Sequence, residues 1–164
     1  MTKELIINTT PQGVEIALLE DKRLVELHNE KADANFAVGD LYLGKVKKLI
    51  PGLNAAFVDI GFEKDAFLHY TDLSPYVKSI IKFTQLSMND NNNQFDFAKF
   101  QTAPEIVKTG KISEVLNGKP TVLVQILKEP IAAKGPRLSC EISLPGRFIV
   151  ITPFNNIIAV SRKI

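Results

Sequence analysis

The N-terminal part of the chain alternates short apolar runs with turn-forming residues. The apolar runs are residues 4–8 (ELIIN), 14–19 (VEIALL) and 23–28 (RLVELH), separated by PQG at 11–13 and by EDK at 20–22. Short runs of this kind, bounded by turn residues, are typical of β-strands. The pattern therefore predicts an antiparallel meander.

The apolar pattern between residues 39 and 144 predicts five further strands. They are residues 40–50, 55–60, 66–69, 122–130 and 136–144. Gly44 lies inside the first of them, where a glycine often marks a bulge or the sharp bend of a small barrel. Five strands with a bent first strand match an OB-type barrel, so the predicted fold class is mainly β. Helix signals are few: a single turn after His69, capped by Thr71, and an ambiguous segment at 104–117.

The strand pattern is lost between Lys78 and Thr102. The run MNDNNNQFDFAKFQ is rich in Asn and Gln and shows no alternation. It predicts a long insertion between barrel strands, about residues 78–104, that is mobile at Asn89–Gln94. Three rings in it are expected to tether the insertion to the body, with a second aromatic surface as the alternative: Phe95, Phe97 and Phe100. The tail repeats the strand pattern, with RFIVITP and NIIAVS.

The largest rings of the second and third barrel strands fall on the face that also carries polar residues. Strand alternation puts Phe57 beside Asp59, and Phe67 beside His69, while smaller residues take the core. OB-type barrels bind oligonucleotides on the face of these two strands. Two interpretations stay open: the rings stack on the bases of a single-stranded nucleic acid, or a neighbouring domain or loop covers them.

Basic side chains near the rings are the next candidates. They would supply phosphate contacts that weaken with salt, and they are Lys45, Lys64 and Lys134. His69 would stack or donate a hydrogen bond. Asp59 and Asp65 lie nearby and argue mildly against very tight binding.

The composition limits the classes of protein to which the chain can belong. The 164 residues are 45% hydrophobic and 23% charged, as in an ordinary globular protein, and the net charge of +2 does not by itself indicate nucleic acid. No apolar run approaches the ~20 residues that span a bilayer, and MTKELIINTT lacks the features of a signal peptide. The single Cys140 permits no internal disulfide, so a reducing, cytoplasmic location is expected.

Catalytic groupings are scarce. His28 and His69 are far apart and have no serine or cysteine partner by spacing. Asp59, Asp65 and Asp72 lie on three different local elements, which favours a solvated surface over a metal cluster. We therefore predict no catalytic and no metal-binding residue. Besides nucleic-acid binding and packing of the rings, a third hypothesis is a nuclease that uses Asp59 and Asp65.

Two long stretches carry a family resemblance. GDLYLGKVKKLIPGLNAAFVDIGFEKDAFLHYTDLS and VLVQILKEPIAAKGPRLSCEISLPGRFIVITP both resemble the N-terminal part of the bacterial ribonuclease E/G family. The first resembles the S-one RNA-binding motif, and the second, with LKEP, KGPRL and SLPGR, resembles a pattern specific to this family among S-one proteins. The resemblance covers essentially the whole chain except the Asn-rich insertion. It implies an S-one barrel, residues 37–144, inserted into a subdomain resembling ribonuclease H. Residues 1–36 would be the first part of that subdomain, and residues 145–164 the start of its return.

The resemblance also implies RNA-binding residues. The family's RNA-contacting aromatics fall on Phe57 and Phe67, and a contacting lysine falls on Lys134. Lys22 and Arg23 match a basic corner that touches RNA in some members.

A second implied site senses an RNA 5′-monophosphate. Gly146 and Val150 fall at positions that help to form this pocket in the family. The arginine and threonine that complete it would lie beyond Ile164.

For the parent protein, the resemblance implies a magnesium-dependent endoribonuclease, a hydrolase that processes ribosomal RNA and decays messenger RNA. Its catalytic aspartates, and the cysteines that share a zinc ion between protomers of a homo-oligomer, belong to later domains and are not in this chain. The chain is therefore expected to be part of a longer enzyme, to need no cofactor of its own, and to grip single-stranded RNA without cleaving it. The alternative is a scaffolding module whose exposed rings pack against protein.

Overall fold

The protein is described by a computed structural model over residues 2–31, 36–89, 99–155, 159–160 and 162. The chain divides into two compact units, residues 1–35 and 36–164.

The first unit is a three-stranded antiparallel sheet. Its strands are β1 (Lys3–Thr10), β2 (Gly13–Glu20) and β3 (Arg23–Lys31), in the order β1-β2-β3. This confirms the predicted meander. Apolar side chains are exposed on both faces: Leu5, 62% exposed, lies opposite Leu18 on one face, and Ile6, 51% exposed, lies opposite Ala17 on the other.

The second unit is built around a closed barrel of five strands. The strands are β4 (Leu41–Ile50), β5 (Ala55–Asp59), β6 (Ala66–His69), β7 (Thr121–Lys128) and β8 (Arg137–Ser139). They pair in the order β4-β5-β6-β8-β7, with β6 and β8 parallel and the other neighbours antiparallel. The predicted mainly-β fold with a five-stranded OB-type barrel is confirmed.

The barrel interior follows the alternation of the strands. Its buried side chains include Val46, Ala56, Val58, Leu68, Val122, Val124, Ile126 and Leu138. Gly44 leaves room for this core, because a Cβ there would lie 2.5 Å from Cγ1 of Val58. Of the two features that Gly44 was expected to mark, a bulge or a sharp bend, the bulge of β4 lies further along the strand. The register with β5 shifts between Val46 and Lys48, so Lys47 is the extra residue.

The connection from β6 to β7 contains two helices, α1 (Val77–Asn89) and α2 (Ile112–Val115). The helix α1 occupies the first part of the predicted insertion and was not expected from the sequence. Val77, Ile80 and Thr84 are buried at helical spacing, and that spacing was masked by the polar composition that follows. Residues 90–98, which include most of the stretch predicted to be mobile as well as Phe95 and Phe97, lie outside the described residues.

Phe100 supports the tethering prediction for one of the three rings. Its ring centroid lies 5.9 Å from that of Phe83 on α1 and 5.7 Å from that of Phe154.

The predicted turn after His69 is a 3₁₀ turn over Tyr70–Asp72. Its cap is His69 rather than Thr71, because the backbone N–H of Thr71 donates to Nδ1 of His69.

The tail forms a small antiparallel sheet, as its strand pattern predicted. Its strands are β9 (Leu144–Pro145), β10 (Ile149–Ile151) and β11 (Ala159–Val160), in the order β11-β10-β9. Across the described part of the chain, no helix combines the length and apolar character needed to cross a membrane.

Candidate nucleic-acid interface

Three rings form a row on the outside of the barrel. Phe57 on β5 pairs directly with Phe67 on β6, and their ring centroids are 6.2 Å apart in an edge-to-face arrangement. The ring of His69 stacks on Phe67 at 6.4 Å. All three side chains are half-buried, whereas Ala56 and Leu68, at alternate positions, are fully buried. The strand alternation therefore identified the face on which the rings stand.

A cavity of about 690 Å³ opens beside this row. Its lining is Phe57, Lys64, Asp65, Phe67, Ala133, Lys134, Gly135 and Arg137. Two rings thus form an apolar wall, and basic side chains from two distant segments face it. This is the arrangement that single-stranded nucleic acid requires, since bases stack on rings while phosphates need cations.

Gly135 brings the two basic segments together. A Cβ at this position would lie 2.9 Å from the carbonyl oxygen of Lys64 and closer still to that of Asp65, so only glycine allows the two backbones to meet. The loop before it is held by a hydrogen bond from the backbone N–H of Lys134 to the carbonyl of Ile131, 3.0 Å long. Lys64 and Lys134 consequently line the same cavity.

Most charges around the cavity are already paired. The Arg137 guanidinium donates to both carboxylate oxygens of Asp72, at 2.9 and 3.2 Å, and this contact raises the pKa of Arg137. The Lys47 ammonium contacts Asp59 at 3.1 Å and Asp65 at 3.0 Å.

Lys64 and Lys134 differ from these groups. Within the ranges that the structure describes, neither makes an ion pair, and the same holds for Lys45. Lys45 is exposed on β4 opposite Asp59 and does not line the cavity. Lys64 and Lys134 are therefore the cations of the cavity that are available to an anionic ligand.

The other predicted site residues lie elsewhere. Gly146 and Val150 come together in the β9–β10 hairpin, where the Gly146 N–H donates to the carbonyl of Ile149 at 2.7 Å and Val150 pairs with Pro145. Lys22 lies in the turn between β2 and β3 of the first unit, and Arg23 is the first residue of β3; both are exposed.

The acidic residues do not assemble a metal site. Asp59 and Asp65 share Lys47, whereas Asp72 is held by Arg137. Among the described residues, no group of three or more His, Cys, Asp or Glu is placed to hold a metal ion. Cys140 is fully buried, and burial raises the pKa of its thiol to about 12, so it is not an activated nucleophile.

The roles of Lys47, Gly135 and Arg137 were missed in the sequence. The partners of Gly135 and Arg137 are distant along the chain, and the pairing of β8 with β6 brings them together, whereas Lys47 reaches its two acids within the β4–β5–β6 meander. One signal was present for Lys47: two consecutive lysines at 47 and 48 stand between apolar residues, which breaks the strand alternation and indicates a bulge.

Comparison with known proteins gives consistent relatives. The chain is 37% identical to ribonuclease G of Haemophilus influenzae over 161 residues, which are 98% of this chain and 29% of that protein. It is 34% identical over its whole length to ribonuclease G of Escherichia coli, of which it covers 30%. Ribonuclease E of a Nostoc species is 34% identical over 165 residues, 20% of that protein.

No protein-family model matches the chain. The similarity to these relatives nevertheless runs through both units and includes the ring-bearing barrel. The chain spans less than a third of each relative, and it is homologous to that part of them. It belongs to the ribonuclease E/G family.

Proposed function

We propose that this chain is the single-stranded RNA-binding region of a ribonuclease E/G-type endoribonuclease. The observation that carries the proposal is the row of Phe57, Phe67 and His69 beside a cavity that also holds Lys64 and Lys134, two lysines without an ion pair in the described part of the chain. Relatives that match the whole chain are named ribonucleases, which makes RNA the expected nucleic acid.

In this proposal the rings bind the bases and the lysines bind the phosphates. Rings stack on any base, so binding has weak sequence preference, and each stacked base contributes about 1–3 kcal/mol. Each phosphate neutralised on a single strand adds a slope of about −0.7 to the dependence of log K on log salt. We expect Lys64 and Lys134 to supply these salt-dependent phosphate contacts, and Lys45 to add to the positive potential of the same face.

Further roles come from the family resemblance. Gly146 and Val150 would form part of a pocket for the RNA 5′-monophosphate, which their shared hairpin supports. Lys22 and Arg23 would touch RNA from the first unit.

For the whole protein, we propose magnesium-dependent RNA hydrolysis in ribosomal RNA processing and messenger RNA decay, in a zinc-bridged homo-oligomer of the cytoplasm. In that enzyme this chain would position RNA for a catalytic domain rather than cleave it.

Fluorescence anisotropy tests the proposal. A short single-stranded RNA with a 3′ dye is titrated with the wild-type chain, Phe57→Ala, Phe67→Ala and the matched control Phe83→Ala. Phe83 is also half-buried but packs on Phe100 and does not line the cavity. We expect each of the first two variants to lose about 1–3 kcal/mol of binding free energy and the control to bind as wild type. Equal binding by all four proteins, with their folds intact by circular dichroism, would refute the proposal.

A second candidate is a protein-interaction module. The exposed apolar side chains on both faces of the β1–β3 sheet favour it, since large exposed apolar surfaces mark contact sites. This function predicts association that depends on protein concentration and not on salt, measured by sedimentation velocity at two ionic strengths.

A further inference from the structure

The bulge in β4 changes the direction of one lysine. Lys45 pairs with Asp59 and Val46 with Val58, but the next partner, Phe57, lies opposite Lys48. Lys47 has no partner on β5, and both Lys47 and Lys48 are exposed although they are consecutive. A regular strand would send one of them inward, so the bulge keeps both on the outer side of the barrel.

The Lys47 ammonium binds two carboxylates beside the ring row. It lies 3.1 Å from Asp59, which follows Phe57 on the same face of β5, and 3.0 Å from Asp65. Asp65 is the acidic residue in the lining of the cavity, where Lys64 and Lys134 also stand. Lys47 itself is not part of that lining.

The electrostatic consequence depends on this geometry. One ammonium between two carboxylates leaves the cluster with a net charge of −1, and removal of the ammonium would leave −2 next to the phosphate path. Two carboxylates that approach the same nitrogen are also close to each other, so without the cation they would repel one another and any approaching phosphate.

We propose that Lys47 is a positioning residue for RNA binding, which holds Asp59 and Asp65 on one ammonium and so keeps their charge from opposing phosphates at Lys64 and Lys134. This inference rests on the proposed RNA-binding function. On this account, the β4 bulge orients Lys47 toward the two carboxylates rather than toward the ligand.

A double-mutant cycle separates this role from direct phosphate contact. The four proteins are the wild-type chain, Lys47→Met, Asp59→Asn/Asp65→Asn, and the variant with all three changes. Asparagine keeps an oxygen at position 59 to accept the backbone N–H of Gly61, which now donates to Asp59 at 3.0 Å. Affinity for a 3′-labelled single-stranded RNA is measured at low and at high salt, with Lys47→Arg as the charge-preserving control.

We expect Lys47→Met to weaken binding about two- to fivefold at low salt, as for exposed ion pairs, and less at high salt. In the Asp59→Asn/Asp65→Asn background the same change should have no effect, and Lys47→Arg should bind as wild type. An equal loss in both backgrounds would make Lys47 a phosphate ligand and overturn the inference. Wild-type affinity of Lys47→Met at low salt would overturn it as well.

The Phe57→Ala variant distinguishes the two levels of failure. If RNA binding depends on Phe57 but not on Lys47, the inference fails and the proposed function stands. If the wild-type chain does not bind RNA, both fail. Thermal unfolding of each variant, followed by circular dichroism, shows that affinities are compared between folded proteins.

Discussion

Substitution of Gly135 by alanine should disrupt the cavity, because the new side chain would clash with backbone atoms. The added Cβ would lie 2.9 Å from the carbonyl oxygen of Lys64 and would overlap that of Asp65. These atoms are backbone, so no flexible side chain can move aside. Overpacking of this kind costs about 1–3 kcal/mol, which corresponds to a fall of roughly 2–12 °C in Tm for a chain of this size.

The clash can be relieved in two ways, and both are measurable. If the loop stays in place, the free energy of unfolding falls by the amount given above. If the loop moves away, stability recovers, but Lys134 leaves the cavity and RNA affinity falls to that of Lys134→Ala.

Gly52→Ala is the matched control. Apart from its chain neighbours, no atom of the described residues lies within 4 Å of a Cβ at Gly52, so this variant should be as stable as wild type or slightly more stable. Urea unfolding and RNA anisotropy are measured on all the variants. A Gly135→Ala protein with both wild-type stability and wild-type affinity would show that the two loops do not meet as described.

Three further predictions concern the barrel and its ionisable groups. Gly44→Ala should lower the free energy of unfolding by about 1–3 kcal/mol in urea titrations, because its Cβ would lie 2.5 Å from Cγ1 of Val58 inside the closed barrel; unchanged stability would contradict the packing. The pKa of Asp59 is lowered mainly by the hydrogen bond from the backbone N–H of Gly61 and next by the hydrogen bond from Lys47. Its carboxylate therefore stabilises the fold at a pH above its unfolded-state pKa, and this contribution is lost as pH falls through the folded-state pKa. Asp59→Asn should therefore lose less stability than wild type as pH falls below the ordinary carboxyl pKa of 3.8, measured by thermal unfolding at a series of pH values; parallel pH profiles of the two proteins would contradict this. Cys140, whose thiol pKa is raised to about 12 by burial, should react with a thiol reagent at pH 8 only as fast as the protein opens; immediate reaction without denaturant would mean that the thiol is accessible.

The barrel and its ring-bearing face were predictable from local pattern. Alternation of apolar and polar residues is a short-range signal, and in β5 and β6 it separates Ala56 and Leu68 from Phe57 and Phe67 without any knowledge of the rest of the chain. The same reasoning missed α1, because the Asn-rich run after it dominated the composition of the segment. It also gave the cap of the turn after β6 to Thr71, although the imidazole of His69 accepts that hydrogen bond.

The charge pairing around the cavity could not be predicted in this way. Lys47 meets Asp65 because β4, β5 and β6 pair side by side and the bulge of β4 keeps Lys47 on the outer face, and Arg137 meets Asp72 because β8 pairs with β6. As a result, the acids that argued against binding in the sequence are partly compensated in the structure. Lys64 and Lys134, which make no ion pair within the described residues, line the same cavity as the rings, but the close backbone contact at Gly135 that brings them together has no local signature.

Side-chain NMR is the most direct test of the ring row. Phenylalanine ring protons are assigned by comparison with the Phe57→Ala, Phe67→Ala and Phe83→Ala variants, and a short single-stranded RNA is then added to the wild-type chain. Stacking on bases predicts large ring-current shifts for Phe57 and Phe67 that saturate with RNA, and no shift for Phe83. RNA binding that leaves the signals of Phe57 and Phe67 unchanged would mean that the nucleic acid lies elsewhere and that these rings serve packing alone.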